Sequence, residues 1–183
     1  MTAQDPRDTA GPAPLRYAAA ARVLHWLVAV LVVFVLPLGF LLEFFKDGVK
    51  LTFYAIHETG GFLILWLMLA RLAVRLVRPP PPHLPMPALQ QKVADGVHVA
   101  LYVCLLVQPV AGFLATNAWG FPFALFGVIP IPSPIGKSPD LAPILSGVHV
   151  VFGWAILVLF CLHFAGVLYH HIVLRDRTLE RML

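Results

Sequence analysis

The sequence predicts an all-α fold, an integral membrane four-helix bundle, and three observations carry that expectation. Hydrophobic residues make up 60% of the 183 and charged residues 12%, with a mean hydropathy of +0.84. That is too apolar for an ordinary soluble domain of this length. Four apolar stretches each approach the ~20 residues that cross a bilayer core at ~1.5 Å per residue. Basic residues gather outside alternate ends of these stretches, as in a multi-pass membrane protein.

Residues 1–15 read as a disordered polar tail, and 16–183 as one four-transmembrane-helix domain with no length left for another. The first span is expected near Arg22 to Leu42. A secretory leader is the competing reading, but its apolar core is usually shorter, and Glu43, Phe44 and Phe45 follow where a small-residue cleavage site would stand. The second and third spans are expected near Thr52 to Ala70 and Val93 to Ala115, with Glu58 and Asp95 close to their starts. Between them, Arg78 to Pro87 carries six prolines and reads as a stiff extended spacer. The stretch from Trp119 to Pro143 is rich in Pro and Gly yet apolar, with Phe121, Phe123, Leu125, Phe126, Val128 and Ile129. It is expected to lie at the membrane interface as a cap. The fourth span, near Leu145 to Val173, is the clearest, since no Asp, Glu, Lys or Arg occurs from Leu141 to Leu174.

Orientation follows from the cations. Arg7, Arg16 and Arg22 precede the first span; Arg71, Arg75, Arg78 and Lys92 separate the second from the third; Arg175, Arg177 and Arg181 follow the fourth. Only Lys46, Lys50 and Lys137 fall on the other side. The positive-inside rule then places both termini in the cytoplasm. The net charge of +4 is therefore topological. Such clusters meet anionic lipid, and no nucleic-acid partner is implied.

The chemistry lies in the histidines. His25, His57, His149 and His163 all stand inside apolar spans, where an imidazole is costly unless something satisfies it. His149 and His163 are 14 residues apart on one helix, which is ~21 Å of rise and ~40° short of four full turns. Both rings face nearly the same way, one near each leaflet, so a single helix offers one axial ligand to each of two haems. Depth matching then pairs His57 with His149, and His25 with His163. His170, seven residues beyond His163 on a similar face, competes for the second pair. His98 stands near the same depth, and His170 and His171 otherwise read as interfacial residues that complement a helix C-terminus. His83, in the spacer, reads as exposed. No Cys-x-x-Cys-His occurs, so a haem here is non-covalent, and Cys104 and Cys161 read as packing residues.

Bis-histidine ligation fills both axial positions of a haem iron, which suits electron transfer at the haem edge over O₂ binding. Trp26, Phe62, Trp66, Phe152, Trp154 and Phe164 are candidates to line haem faces, against ordinary packing or interface roles. Gly60, Gly61 and Gly153 are candidates for close approach of a porphyrin, against plain helix packing. Arg71 and Arg75 are read either as partners of a propionate or quinone, or as membrane anchors. The three lysines on the opposite side would steer an anion. A metalloprotease is excluded, because Gly61 stands where the second histidine after His57-Glu58 is required. A proton or metal-ion transporter using Glu58 and Asp95 accounts less well for histidines paired by depth.

The chain resembles the small four-helix di-haem type of bacterial cytochrome b561. The resemblance rests on Leu24-His25-Trp26, the His57 segment running to Arg71-Leu72 and Arg75, and His98 to Tyr102 with Pro109 and Gly112. The His149 to His163 spacing and the tail His170-His171, Arg175-Asp176 and Thr178-Leu179 complete it. It spans about Arg16 to Leu183 and implies His25, His57, His149 and His163 as the axial ligands of two haem b groups, which favours His163 over His170. It also implies a multi-pass protein of the bacterial inner membrane, an oxidoreductase moving electrons between a periplasmic or membrane donor, superoxide in some members, and ubiquinone. The same design serves as a quinone-reactive, haem-containing anchor subunit of larger dehydrogenases or hydrogenases, which is the alternative.

Overall fold

The computed structural model describes residues 15–46 and 48–183. Four long helices dominate it: α1 (Ala19–Leu41), α2 (Val49–Val77), α3 (Ala88–Trp119) and α4 (Leu141–Leu168). Each is long and apolar enough to cross a membrane. The expected spans all fall inside helices, but α2 and α3 run about a turn or more further at each end than apolarity alone indicated. Those extra turns carry the charged residues Arg71, Arg75 and Lys92, whose backbones gain hydrogen bonds by staying helical at the interface. Apart from Leu15, the expected tail lies outside the described residues.

The helices alternate in direction. Extensive packing joins α1 to α2, α3 to α4, and α2 to α3, whereas α4 stands off from α1 and α2. A core of Val28, Val32, Ile64, Met68, Cys104, Leu105 and Ile156 fills the middle of the bundle. Both cysteines are free, Cys104 in that core and Cys161 on the outer surface of α4.

At one end, the loop before α4 forms a hairpin of β1 (Phe123–Leu125) and β2 (Ile129–Ile131), with Phe123 opposite Ile131 and Leu125 opposite Ile129. Phe123 is buried against Phe62 and Phe113, with ring centroids 5.4 and 5.7 Å away. Phe126 at the turn has φ 56°, unusual for a bulky side chain, and its N–H donates to Thr59 Oγ1 at 3.2 Å. One aromatic plugs the bundle while Phe121, Phe126, Val128 and Ile129 face outward.

At the other end, α4 continues as a π-helical segment, Tyr169–Leu174, that stops at Arg175 in the left-handed region. The chain then turns back through a short 3₁₀ turn, Leu179–Arg181. Arg181 is buried: its Nε donates to Leu15 O at 3.1 Å and its Nη2 to Pro82 O at 2.6 Å. Tyr17 N–H donates to Arg181 O, and Trp26 Nε1 to Met182 O. This C-terminal strap ties the N-terminal segment, the proline spacer and α4 together. Read from sequence, Arg181 was only an anchoring cation; its burial depends on carbonyls that sequence periodicity does not reveal.

Candidate functional site

The two depth-matched histidine pairs meet. His57 on α2 and His149 on α4 have ring centroids 6.0 Å apart with planes at 88°. His25 on α1 and His163 on α4 are 6.2 Å apart with planes at 76°. Metal–imidazole bonds of ~2.0 Å on either side of one ion separate the ring centroids by about 6 Å, so each pair has the spacing that axial ligation needs. Both pairs bridge helices whose backbones make few close approaches, α4 opposite α1 and α2.

The first pair is fixed by the other helix of each hairpin. His57 Nδ1 lies 3.0 Å from Val35 O on α1, and His149 Nδ1 lies 3.0 Å from Gln108 O on α3. Donation from Nδ1–H to a carbonyl leaves Nε2 with its lone pair, the form a metal requires. One turn beyond each carbonyl stands a glycine. A Cβ at Gly39 would be 2.6 Å from His57 Cε1, and one at Gly112 would be 2.7 Å from His149 Cε1. These two glycines admit the imidazoles of the first pair. Gly60 instead meets Val35, Gly61 faces open space, and Gly153 lies near Gln108. The sequence signal was available in retrospect, since Val35 to Gly39 and Gln108 to Gly112 repeat one spacing on different helices. The Gln108 amide nitrogen lies 3.4 Å from His149 Nε2, and its Oε1 is buried without a partner among the described residues.

The second pair has a third member. His98 on α3 sits with its ring 5.2 Å from that of His163, and His25 Nδ1 is buried without a partner among the described residues. His170 is elsewhere: its Nδ1 is 2.5 Å from Asp176 Oδ2, and its Nε2 is 3.0 Å from Gln90 Nε2. It is a half-buried link between α3, the end of α4 and the strap, and not the solvated interfacial ring that its position suggested. Hydrogen bonding to His170 and Thr178 outweighs burial, the largest single influence, and holds the Asp176 carboxyl below its ordinary range. His83 also has a partner, Asp95 at 3.0 Å, although both are substantially exposed.

The aromatic candidates divide. Trp66 and Phe164 are largely exposed, Trp26 lies 5.4 Å from the His25 ring and Trp154 4.7 Å from Phe40 of α1, Phe152 packs against the core, and Phe62 belongs to the plug under the hairpin. Glu58, next to His57, accepts from Thr116 Oγ1 at 2.7 Å, and Tyr54 Oη lies 3.3 Å from the same hydroxyl. Arg71 and Arg75 stack on one ring, with guanidinium carbons 5.2 and 5.4 Å from the Tyr102 centroid.

Membrane bundles that oppose imidazoles in this way belong to the class of haem-carrying membrane cytochromes. The sequence model of prokaryotic cytochrome b561 matches residues 16–183, and the chain belongs to that family. It is 30% identical to cytochrome b561 homolog 2 of Escherichia coli strain K12 over 93% of this chain and 92% of the relative. It is also 30% identical to the probable superoxide oxidase CybB of Yersinia pestis, over 87% and 91% of the two chains. A third relative, cytochrome b562 of Cereibacter sphaeroides, is 30% identical over 87% and 90%. Family membership makes the chain a bacterial membrane cytochrome that binds haem b and serves electron transfer.

Proposed function

We propose that the chain is a di-haem b transmembrane electron carrier. His57 and His149 hold one haem near the hairpin end, and His25 and His163 hold the other near the Arg-rich end. The supporting observation is the two ring pairs at 6.0 and 6.2 Å, with their α4 members ~21 Å apart along one helix. A haem bound by each pair would supply a reversible one-electron couple, and two imidazole ligands would disfavour oxygen binding at its iron. Val35 O and Gln108 O orient the first pair of imidazoles, Gly39 and Gly112 give those rings room, and the core between the pairs excludes water.

The ten-to-three division of cations puts the Arg-rich end in the cytoplasm and the His57–His149 site toward the periplasm. An electron donor is met on the periplasmic side, and superoxide fits as an anion drawn to a face bearing Lys46, Lys50 and Lys137. Membrane ubiquinone is the acceptor. The similarity to a probable superoxide oxidase supports this direction. The test is reduction of the purified protein by superoxide and by ubiquinol, followed in the haem absorption bands. Rapid reduction by superoxide with onward transfer to ubiquinone is expected. Reduction by ubiquinol alone would instead favour the anchor role, with electrons leaving to a partner enzyme.

A further inference from the structure

The Arg-rich end contains a cleft that neither ring pair accounts for. Tyr17, Arg71, Arg75, Arg78, His98 and Tyr102 line it. Arg71 and Arg75 share the face of Tyr102, yet neither pairs with a carboxylate among the described residues. The described acids at this end are committed elsewhere, Asp95 to His83, Asp176 to His170 and Glu180 to Arg177, and the Leu183 terminus accepts from Arg22. Two guanidiniums on one ring repel each other, and the cation–π attraction to a tyrosine offsets only part of that cost. Their planar forks suit a ligand with two or more charged oxygens. A neutral quinone head would leave the excess charge uncompensated.

We propose that this cleft is an oxyanion site that takes a carboxylate or phosphate group between Arg71 and Arg75. Two sources share this chemistry. His98 lines the cleft and its ring touches the neighbourhood of His163, 5.2 Å away, so a haem held by His25 and His163 would bring its propionate carboxylates there. Arg71 and Arg75 also occupy the last turns of α2, where a span meets phospholipid head groups. The carboxylate source rests on the di-haem reading, and the phosphate source is independent of it.

The experiment uses the full-length haem-loaded protein and its Arg71→Gln, Arg75→Gln, double Arg→Gln and Arg75→Lys variants, with Lys92→Gln as a charge control outside the cleft. Optical redox titration reads the carboxylate source. A guanidinium beside a haem disfavours the more positive oxidised state, so the double variant should lower the midpoint potential of the His25–His163 haem alone, with Arg75→Lys close to wild type. Native mass spectrometry after exchange into phosphatidylglycerol nanodiscs and release reads the phosphate source. There a phospholipid adduct should persist on wild type and fall at least tenfold in the double variant, with both potentials unmoved. Wild-type values for both readouts in the double variant would overturn the site. So would an equal fall in both potentials that Lys92→Gln reproduces. If the double variant loses its haem, the two single Arg→Gln variants carry the same comparison. A wild-type content of one haem per chain would overturn the di-haem reading and leave the phospholipid measurement to decide the cleft.

Discussion

Each imidazole in the first pair is held by one carbonyl and one missing methyl group, and both can be tested by single substitutions. Replacing His57 or His149 with Ala should each remove the same spectral component, about half of the haem absorbance, while His25→Ala and His163→Ala remove the other. Loss of both components from any one change would break the pairing. Gly39→Ala and Gly112→Ala should weaken haem retention at the first site only, since overpacking a site this tight costs ~1–3 kcal/mol, about a 5- to 150-fold effect. Transfer of haem to apomyoglobin is the measurement, and unchanged retention in both variants would show that the rings adjust freely. The four histidines were legible in the sequence because an imidazole in an apolar span demands a reason. Their clamps were not, because backbone carbonyls carry no sequence identity. His98 beside His163 was equally hidden, since it depends on how α3 turns against α4.

Among the elements, the strap departs furthest from its sequence. Hydropathy sees only a short polar end after α4, whereas Arg181, Asp176 and His170 join it to α1, the spacer and α3. Arg181→Ala should lower stability by about 3–6 kcal/mol, because it removes hydrogen bonds to Leu15 O and Pro82 O, and buried hydrogen bonds to a charged group contribute ~1.5–3 kcal/mol each. An earlier thermal loss of haem absorbance reports it. His170→Ala should leave both haems bound while loosening the strap; loss of a haem there with retention in His163→Ala would reverse the ligand assignment. Acid has a defined sign here. The folded Asp176 carboxyl lies below its ordinary range, so the contribution of its contacts is complete above the unfolded value of ~3.9 and fades as pH falls toward the lower folded value. Hydrogen exchange at Thr178, whose N–H donates to Asp176 Oδ1 at 2.8 Å, should rise on that acid limb in wild type. In Asp176→Asn it should be raised at every pH. The hairpin was likewise unforeseen as β structure, since the sequence showed an apolar loop and only the pairing of Phe123 with Ile131 turns it into a plug.

For the whole molecule, hydropathy and cation spacing were enough for four spans and their alternation, because a bilayer imposes length and charge rules on any chain that crosses it. A C-terminal alkaline phosphatase fusion should be inactive and a fluorescent protein fusion bright, as expected for a cytoplasmic terminus; the opposite result would exchange the sides of both ring pairs. Hydropathy could not show that the bundle is unevenly joined. α1 grips α2 and α3 grips α4, whereas α4 meets the first hairpin through few residues, Ile156 in the core and Trp154 against Phe40 of α1 at 4.7 Å. On the ligand assignment proposed here, the protein is made as two prefabricated halves hinged where α2 meets α3, and the cofactors act as rivets driven across the seam afterwards. A cell short of haem would then hold a correctly threaded chain with a loosened seam, joined there by Ile156 in the core, by Trp154 against Phe40 and by the strap. Quality control could recognise such a chain by that loosened seam, without any span having failed to insert.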